Sequence, residues 1–211
     1  MTTFALITEG ITDQVVLERL IDDICASKFD DDIEFVPIQP ERDATDAYSA
    51  PHGGWALVLE ACELRAAEAL EYNNYLIVQI DTDLGDDKGY GLGLSDGGIA
   101  KSVSVLISDA KNLLASRIGK DVYDENSHRI CFAICIHSIE SWLLILAADL
   151  DHVHTGEARL SRYLKKIDFG GLRKTYEGYG EVCDLVKSKR VKEFVGSPTS
   201  LGQFLDSLSV L

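Results

Sequence analysis

Four apolar runs divide the chain, at residues 4–8, 33–38, 75–80 and 129–137. Their apolar positions are continuous rather than alternating, the pattern of strands covered on both faces. The stretches between them have helical spacing instead. Val16, Leu17, Leu20, Ile21 and Ile24 fall on one helical face, and Thr12 just ahead of them is the expected N-cap of a first helix. A second helix is predicted over about 55–72 and a third over about 99–118. This alternation predicts an α/β fold: a four-stranded, mainly parallel sheet with right-handed crossovers, flanked by helices.

Beyond the fourth strand the pattern is helical, at 140–148, 157–167, 179–194 and 199–209. The expected organisation is an α/β domain over 1–150 with a helical, locally basic extension over 151–211 packed on it. Two connections are long: 39–54, and the glycine-rich 84–98, LGDDKGYGLGLSDGG. A glycine-rich loop can cradle phosphate. However, no GxxxxGK[ST] or GxGxxG opens a helix after the first strand, which weakens the P-loop and dinucleotide-binding readings. The chain has no internal repeat.

Composition narrows the class. With 211 residues, 46% of them apolar, the chain can build an ordinary globular core. No apolar run reaches the ~18 residues needed to span a bilayer. MTTFALITEG lacks the basic start of a signal peptide. A cytoplasmic protein without a membrane partner is expected. The five cysteines (Cys25, Cys62, Cys131, Cys135 and Cys183) form no CxxC pair, and their odd number points to buried thiols rather than a disulfide framework.

The formal net charge of −15 speaks at first against a nucleic-acid partner. Its distribution changes that. Residues 1–156 hold 10 basic and 28 acidic side chains, a balance of −18, whereas 157–193 hold 10 and 6, a balance of +4. An acidic body with a basic late segment suits a metal site beside a polyanion-binding surface; a solvated helical face is the plainer alternative.

The acids stand where an open parallel sheet places its ligands, beyond the carboxyl ends of the strands. Glu9 follows the first strand, Asp81 and Asp83 end the third in QIDTD, and Glu140 follows the fourth in HSIESW. In extended chain Asp81 and Asp83 point the same way. Glu9 and Asp13, four apart across a turn, could flank an ion from the other side. Taken singly, Asp13 is a favourable charge at a helix N-terminus, DxD is a loop, and Glu140 begins a helix. Together, like charges this close are costly unless a cation sits among them. Hard oxygen donors suit Mg²⁺ or Mn²⁺. The one histidine pair with ligand-like spacing, His152-x-His154, lacks companions for zinc.

TEGITD followed by an amphipathic helix, with a later strand ending in DTD, resembles the TOPRIM domain, the metal-binding fold shared by topoisomerases, primases and certain nucleases. HSIESW, with Ser138 two residues before Glu140, resembles the Ser-x-Glu element of the overcoming-lysogenization-defect (OLD) nucleases. It is also similar to small standalone TOPRIM-like proteins encoded beside ABC-type ATPases in bacterial defence loci, as are PHGGW at 51–55 and ESWLL at 140–144. The resemblance covers about residues 4–145. It implies that Glu9 is a metal ligand or general acid/base, and that Asp13 is the second acid of the same motif, where many nuclease members carry glutamate. It further implies that Asp81 and Asp83 are paired metal ligands, and that Glu140 is a second-site ligand with Ser138 beside it. OLD-type members also use a late lysine, for which Lys174 in LRKTYEGYG is the candidate.

The implied activity is a nuclease using one or two Mg²⁺ or Mn²⁺ ions, an effector in anti-phage defence. Catalysis would fall to Glu9, Asp81, Asp83, Glu140 and Lys174. Basic residues of the extension, Lys187, Lys189 and Arg190 foremost, would hold the DNA or RNA backbone. Tyr163, Tyr176 and Tyr179 are available to stack on bases, half-buried packing being the reading placed ahead of it. A rival from another class is a regulatory or effector subunit that docks on an ABC-type ATPase through its acidic surface and is silent alone. A nucleotidyl transferase using the same acids is a third, lowered by the missing triphosphate loop.

Overall fold

The computed structural model describes residues 1–29, 31–42, 53–150 and 155–211. Four strands, β1 (Thr2–Ile7), β2 (Ile33–Gln39), β3 (Tyr75–Asp81) and β6 (Ile130–Cys135), form one sheet in the order β2-β1-β3-β6, all parallel. Helices flank it, as in Rossmann-like α/β folds. β4 (Ser95–Asp96) and β5 (Ile99–Ala100) make a separate two-residue hairpin.

Period-two alternation divides each buried strand between two cores. Phe4, Leu6, Ile77, Cys131, Ala133 and Cys135 face α1 (Ile11–Cys25), α5 (Ile139–Ala148), α7 (Tyr176–Cys183) and α9 (Ser200–Ser209). Ala5, Ile7, Leu76, Val78, Ile80, Ile130, Phe132 and Ile134 face α2 (Trp55–Tyr72) and α3 (Val103–Ile118). Each fully buried Leu, Ile or Phe contributes about 1.5–3 kcal/mol, so both layers are needed. The late helices share the first core. Trp142 Nε1 donates to Ser200 Oγ (2.9 Å), and Lys28 Nζ donates to the Leu208 carbonyl (2.9 Å). All five cysteines are free and buried. Among the described residues no helix is long and apolar enough to cross a membrane.

Several boundaries depart from the sequence reading. The N-cap of α1 is Gly10 rather than Thr12, which lies inside the first turn. The third helix starts at Val103 and not near 99. Gly97 and Gly98, at φ 56° and 81°, supply the left-handed turn that folds Ile99–Ala100 back on Ser95–Asp96. Ser102 then caps α3 by accepting from the Val105 N–H. Two short helices replace the stretch 179–194. Thr175 caps α7 early through the Gly178 N–H (3.0 Å), and extended backbone at Lys187 begins α8 (Ser188–Lys192). α4 (Lys120–Asn126) and α6 (Gly156–Lys166) complete the set, α4 having had no sequence signal.

Candidate functional site

From β1 the chain crosses to β2 on one side, and from β2 it returns to β3 on the other. The carboxyl ends of β1 and β3 therefore border the switch point where such sheets bind ligands. Glu9 follows β1, Asp13 lies in the first turn of α1, Asp81 ends β3, Asp83 follows it, and Glu140 lies in the first turn of α5 behind its N-cap Ser138. A cleft of about 570 Å³ opens here, with Asp81, Asp83, His137, Ser138, Glu140, Glu157 and Lys174 among its lining.

The strand ends are tied together by polar groups that the sequence reading passed over. Gln79, fully buried in β3, accepts from the Glu9 N–H (3.0 Å) and donates through Nε2 to Asp81 Oδ1 (2.8 Å). The Asp81 N–H donates to Glu9 Oε1 (2.7 Å). On the far side His137, at φ 72°, receives the Thr82 and Asp83 N–H groups on its carbonyl (3.1 Å each), and its own N–H donates to Thr82 Oγ1 (2.8 Å).

Gly53-Gly54-Trp55 closes over Glu9. The Gly54 N–H donates to the Glu9 carbonyl (2.9 Å), and the Trp55 N–H to its carboxylate. Trp55 stacks on Tyr90 with centroids 4.9 Å apart, and Tyr90 donates its hydroxyl to the Asp81 carbonyl. The glycine-rich loop thus delivers a buried tyrosine under the site. A Cβ on Gly53 would stand 2.2 Å from the Glu9 carbonyl oxygen, a backbone atom that cannot swing aside. Gly53→Ala is therefore expected to lower stability by about 1–3 kcal/mol, the range for overpacking. The melting temperature checks this, with Gly180→Ala as the control because its Cβ meets nothing closer than 4.0 Å.

Glu140 is gripped from two directions. One carboxylate oxygen accepts from Ser138 Oγ (2.5 Å), and the other accepts from the hydroxyl of Tyr179, a buried residue of α7. A side chain of the helical extension thereby belongs to the acidic cluster. Tyr179, 1% exposed, follows the packing reading and is not available to stack on a base. Tyr163 and Tyr176 are half-buried and donate to the Ala147 carbonyl (2.9 Å) and to Glu18 (2.7 Å), so packing is the better account of them too.

Burial and mutual repulsion govern the acids. Burial is the main cause of a Glu9 pKa pushed up to about 7; Asp83 adds to it, and the Asp81 and Trp55 N–H groups oppose it. Asp81 lies well above the usual carboxylate range, first through burial and then through Asp13, Glu9, Glu140 and Asp83. Asp13 is raised likewise by burial, Glu140 and Glu9. Asp83 is raised by burial against a lowering influence from His137. No lysine or arginine among the described residues pairs with Glu9, Asp13, Asp81 or Glu140. Enclosed carboxylates without a basic partner must hold protons or share a cation. The all-oxygen donor set fits a hard divalent ion in kind. No group of three or more His, Cys, Asp or Glu among the described residues is arranged as a ready coordination shell. Protein donors instead engage oxygens of Glu9, Asp81 and Glu140.

Lys174 lines the same cleft, with its ammonium on Glu157 (2.8 Å) holding its pKa up. Lys187 and Lys189 are exposed at α8 and are absent from the cleft lining. Arg190 is engaged with Asp149 and Glu193 and covers the Phe194 ring at 4.8 Å. His152, His154, Pro51 and His52 lie outside the described residues. Of the residues missed, Gln79 had a readable signal, a lone polar side chain inside YLIVQID; Tyr90 and His137 had none. Comparisons with protein-family models, curated proteins and solved structures return no match.

Proposed function

We propose that this chain is a cytoplasmic, metal-dependent phosphodiester hydrolase of TOPRIM type, an effector nuclease of bacterial anti-phage defence. The observation that carries the reading is the gathering of Glu9, Asp13, Asp81, Asp83 and Glu140 at the switch-point end of the sheet, where Asp81, Asp83 and Glu140 line one cleft with Lys174. Glu9, Asp13, Asp81, Asp83 and Glu140, with Ser138 beside it, would hold Mg²⁺ or Mn²⁺. Bound there, the ion supplies Lewis acidity and lowers the pKa of water. Gln79, the Trp55 N–H and the Tyr179 hydroxyl fix where those carboxylates point. Lys174, kept protonated, offers a positive charge to a phosphate entering the cleft.

A second reading has its own support. The only cationic side chain among the described lining residues is Lys174, already paired with Glu157. Such a cleft would gain from basic surface supplied by a partner, which favours a subunit that acts on nucleic acid only when docked on an ABC-type ATPase.

One experiment addresses both. The full chain is incubated with duplex DNA, single-stranded DNA or tRNA in Mg²⁺ or Mn²⁺, with and without an ABC-type ATPase from the same genome. Metal-dependent cleavage by the chain alone is expected. Cleavage only with the ATPase selects the second reading, and none in any arm removes both. In the same series Lys187→Glu/Lys189→Glu should weaken duplex binding and reduce the slope of log affinity against log salt by about 1.8. Arg190 is left intact there because its ion pairs and ring contact are structural.

A further inference from the structure

A second cavity, of about 280 Å³, adjoins the acidic cleft and shares two of its walls, Asp83 and His137. Its character is opposite. Leu94, Ala100, Val103, Leu106 and Ile136 line it, contributed by the end of the glycine-rich loop, β5, the start of α3 and the segment after β6. The polar groups around it are largely engaged elsewhere. Lys101 turns its ammonium to the Leu92 carbonyl (2.9 Å) and Asp109 (2.7 Å), and Thr82 Oγ1 accepts the His137 N–H. The pocket is therefore suited to a neutral, largely apolar group. Its volume lies just under the ~300–1,000 Å³ typical for a whole drug-sized ligand, which leaves room for a single heterocycle.

A carboxylate cleft suited to a metal-bound phosphate, joined through Asp83 and His137 to an apolar slot, matches a ligand with those two halves. We infer that the slot is a nucleobase subsite, taking the base of the nucleotide whose phosphate lies in the acidic cleft. This rests on the phosphodiesterase reading for the phosphate half only. The base half needs nothing but the pocket. Shape and apolar contact, with few free hydrogen-bonding groups in the walls, predict a site that grips a base without reading its full identity.

The pocket can be filled from its exposed rim with little risk to the fold. Ala100 is exposed, and Val103 is 41% exposed at the first position of α3. Binding of adenosine 5′-monophosphate, uridine 5′-monophosphate and ribose 5-phosphate to the full chain in Mg²⁺ is measured by calorimetry, for wild type, Ala100→Trp and Val103→Trp. The nucleotides should bind wild type at least ~10-fold tighter than ribose 5-phosphate, the scale of one base contact. Both variants should lose that margin while keeping wild-type affinity for ribose 5-phosphate. Nucleotides that bind no tighter than ribose 5-phosphate, or a margin that survives in both variants, would overturn the subsite. If ribose 5-phosphate itself does not bind, the metal reading of the cleft has failed, and free adenosine then tests the slot alone. Methyl NMR shifts at Leu94, Val103, Leu106 and Ile136 in wild type, absent in Ala100→Trp, are expected in that case. No shift at those methyls overturns the inference independently.

Discussion

Replacing Glu140 by glutamine should leave the protein folded and lower phosphodiester cleavage by at least ~10²-fold, the loss seen when a group facing transition-state charge is removed. Glutamine has nearly the same shape, and its remaining oxygen can still accept from Tyr179 or Ser138. The other hydroxyl can rotate to accept from the new amide. What disappears is one negative charge from a cluster in which Glu140 raises both Asp13 and Asp81. Stability in EDTA should therefore hold or rise, and single-turnover cleavage in Mn²⁺ should collapse. A Glu140→Gln chain that cuts at the wild-type rate would reduce HSIESW to the start of a helix and remove the nuclease assignment.

The second large effect is a coupling of stability to pH and metal. Glu9 has a folded-state pKa raised from 4.5 to about 7, so between those values the folded protein holds a proton that the unfolded chain has released. Stability must then fall as pH rises through that window. At about 1.4 kcal/mol per pKa unit, Glu9 alone contributes a loss of about 3 kcal/mol by pH 8. Asp13, Asp81 and Asp83 act with the same sign. For a chain of this size that corresponds to a drop of roughly 6–12 °C in melting temperature. Mn²⁺ should restore the loss, and more at pH 8 than at pH 5, where protons compete with it. Asp81→Asn should flatten the pH dependence in EDTA and blunt the response to Mn²⁺. Thermal melts of wild type and an Asp81→Asn/Asp83→Asn double variant, at both pH values with and without Mn²⁺, check this. Equal metal stabilisation of the two proteins would eliminate the site.

The sheet and the acids were legible because both are written locally. A continuous apolar run ending in a carboxylate marks a buried strand and its exit, and the topology of a parallel sheet then brings such exits to one end. Gly53 was readable only as part of a motif, since its role depends on the Glu9 carbonyl 44 positions earlier in the chain. Tyr179 is the same case. Its local sequence reads as an ordinary amphipathic helix, and nothing in YEGYGEVC announces a hydroxyl on Glu140, 39 residues away. Helix boundaries failed where a cap overrode the hydrophobic period, as at Thr175 and Ser102. Positive φ at Gly97 and Gly98 did the same to the predicted start of α3.

The placement of α9 has a consequence for biosynthesis. Leu201, Phe204, Leu205 and Leu208 close the same core as Phe4, Cys131 and Cys135, and the Lys28 bond to Leu208 spans 180 positions. On the ribosome, β1 and α1 emerge long before α9, the last of the helices that cover their layer. A nascent chain therefore leaves part of that sheet face uncovered until α9 is made, surface that invites aggregation and chaperone attention. Tyr179 is also made after every acid it helps to arrange. The Glu140 carboxylate therefore gains its second hydroxyl donor only once α7 has been synthesised.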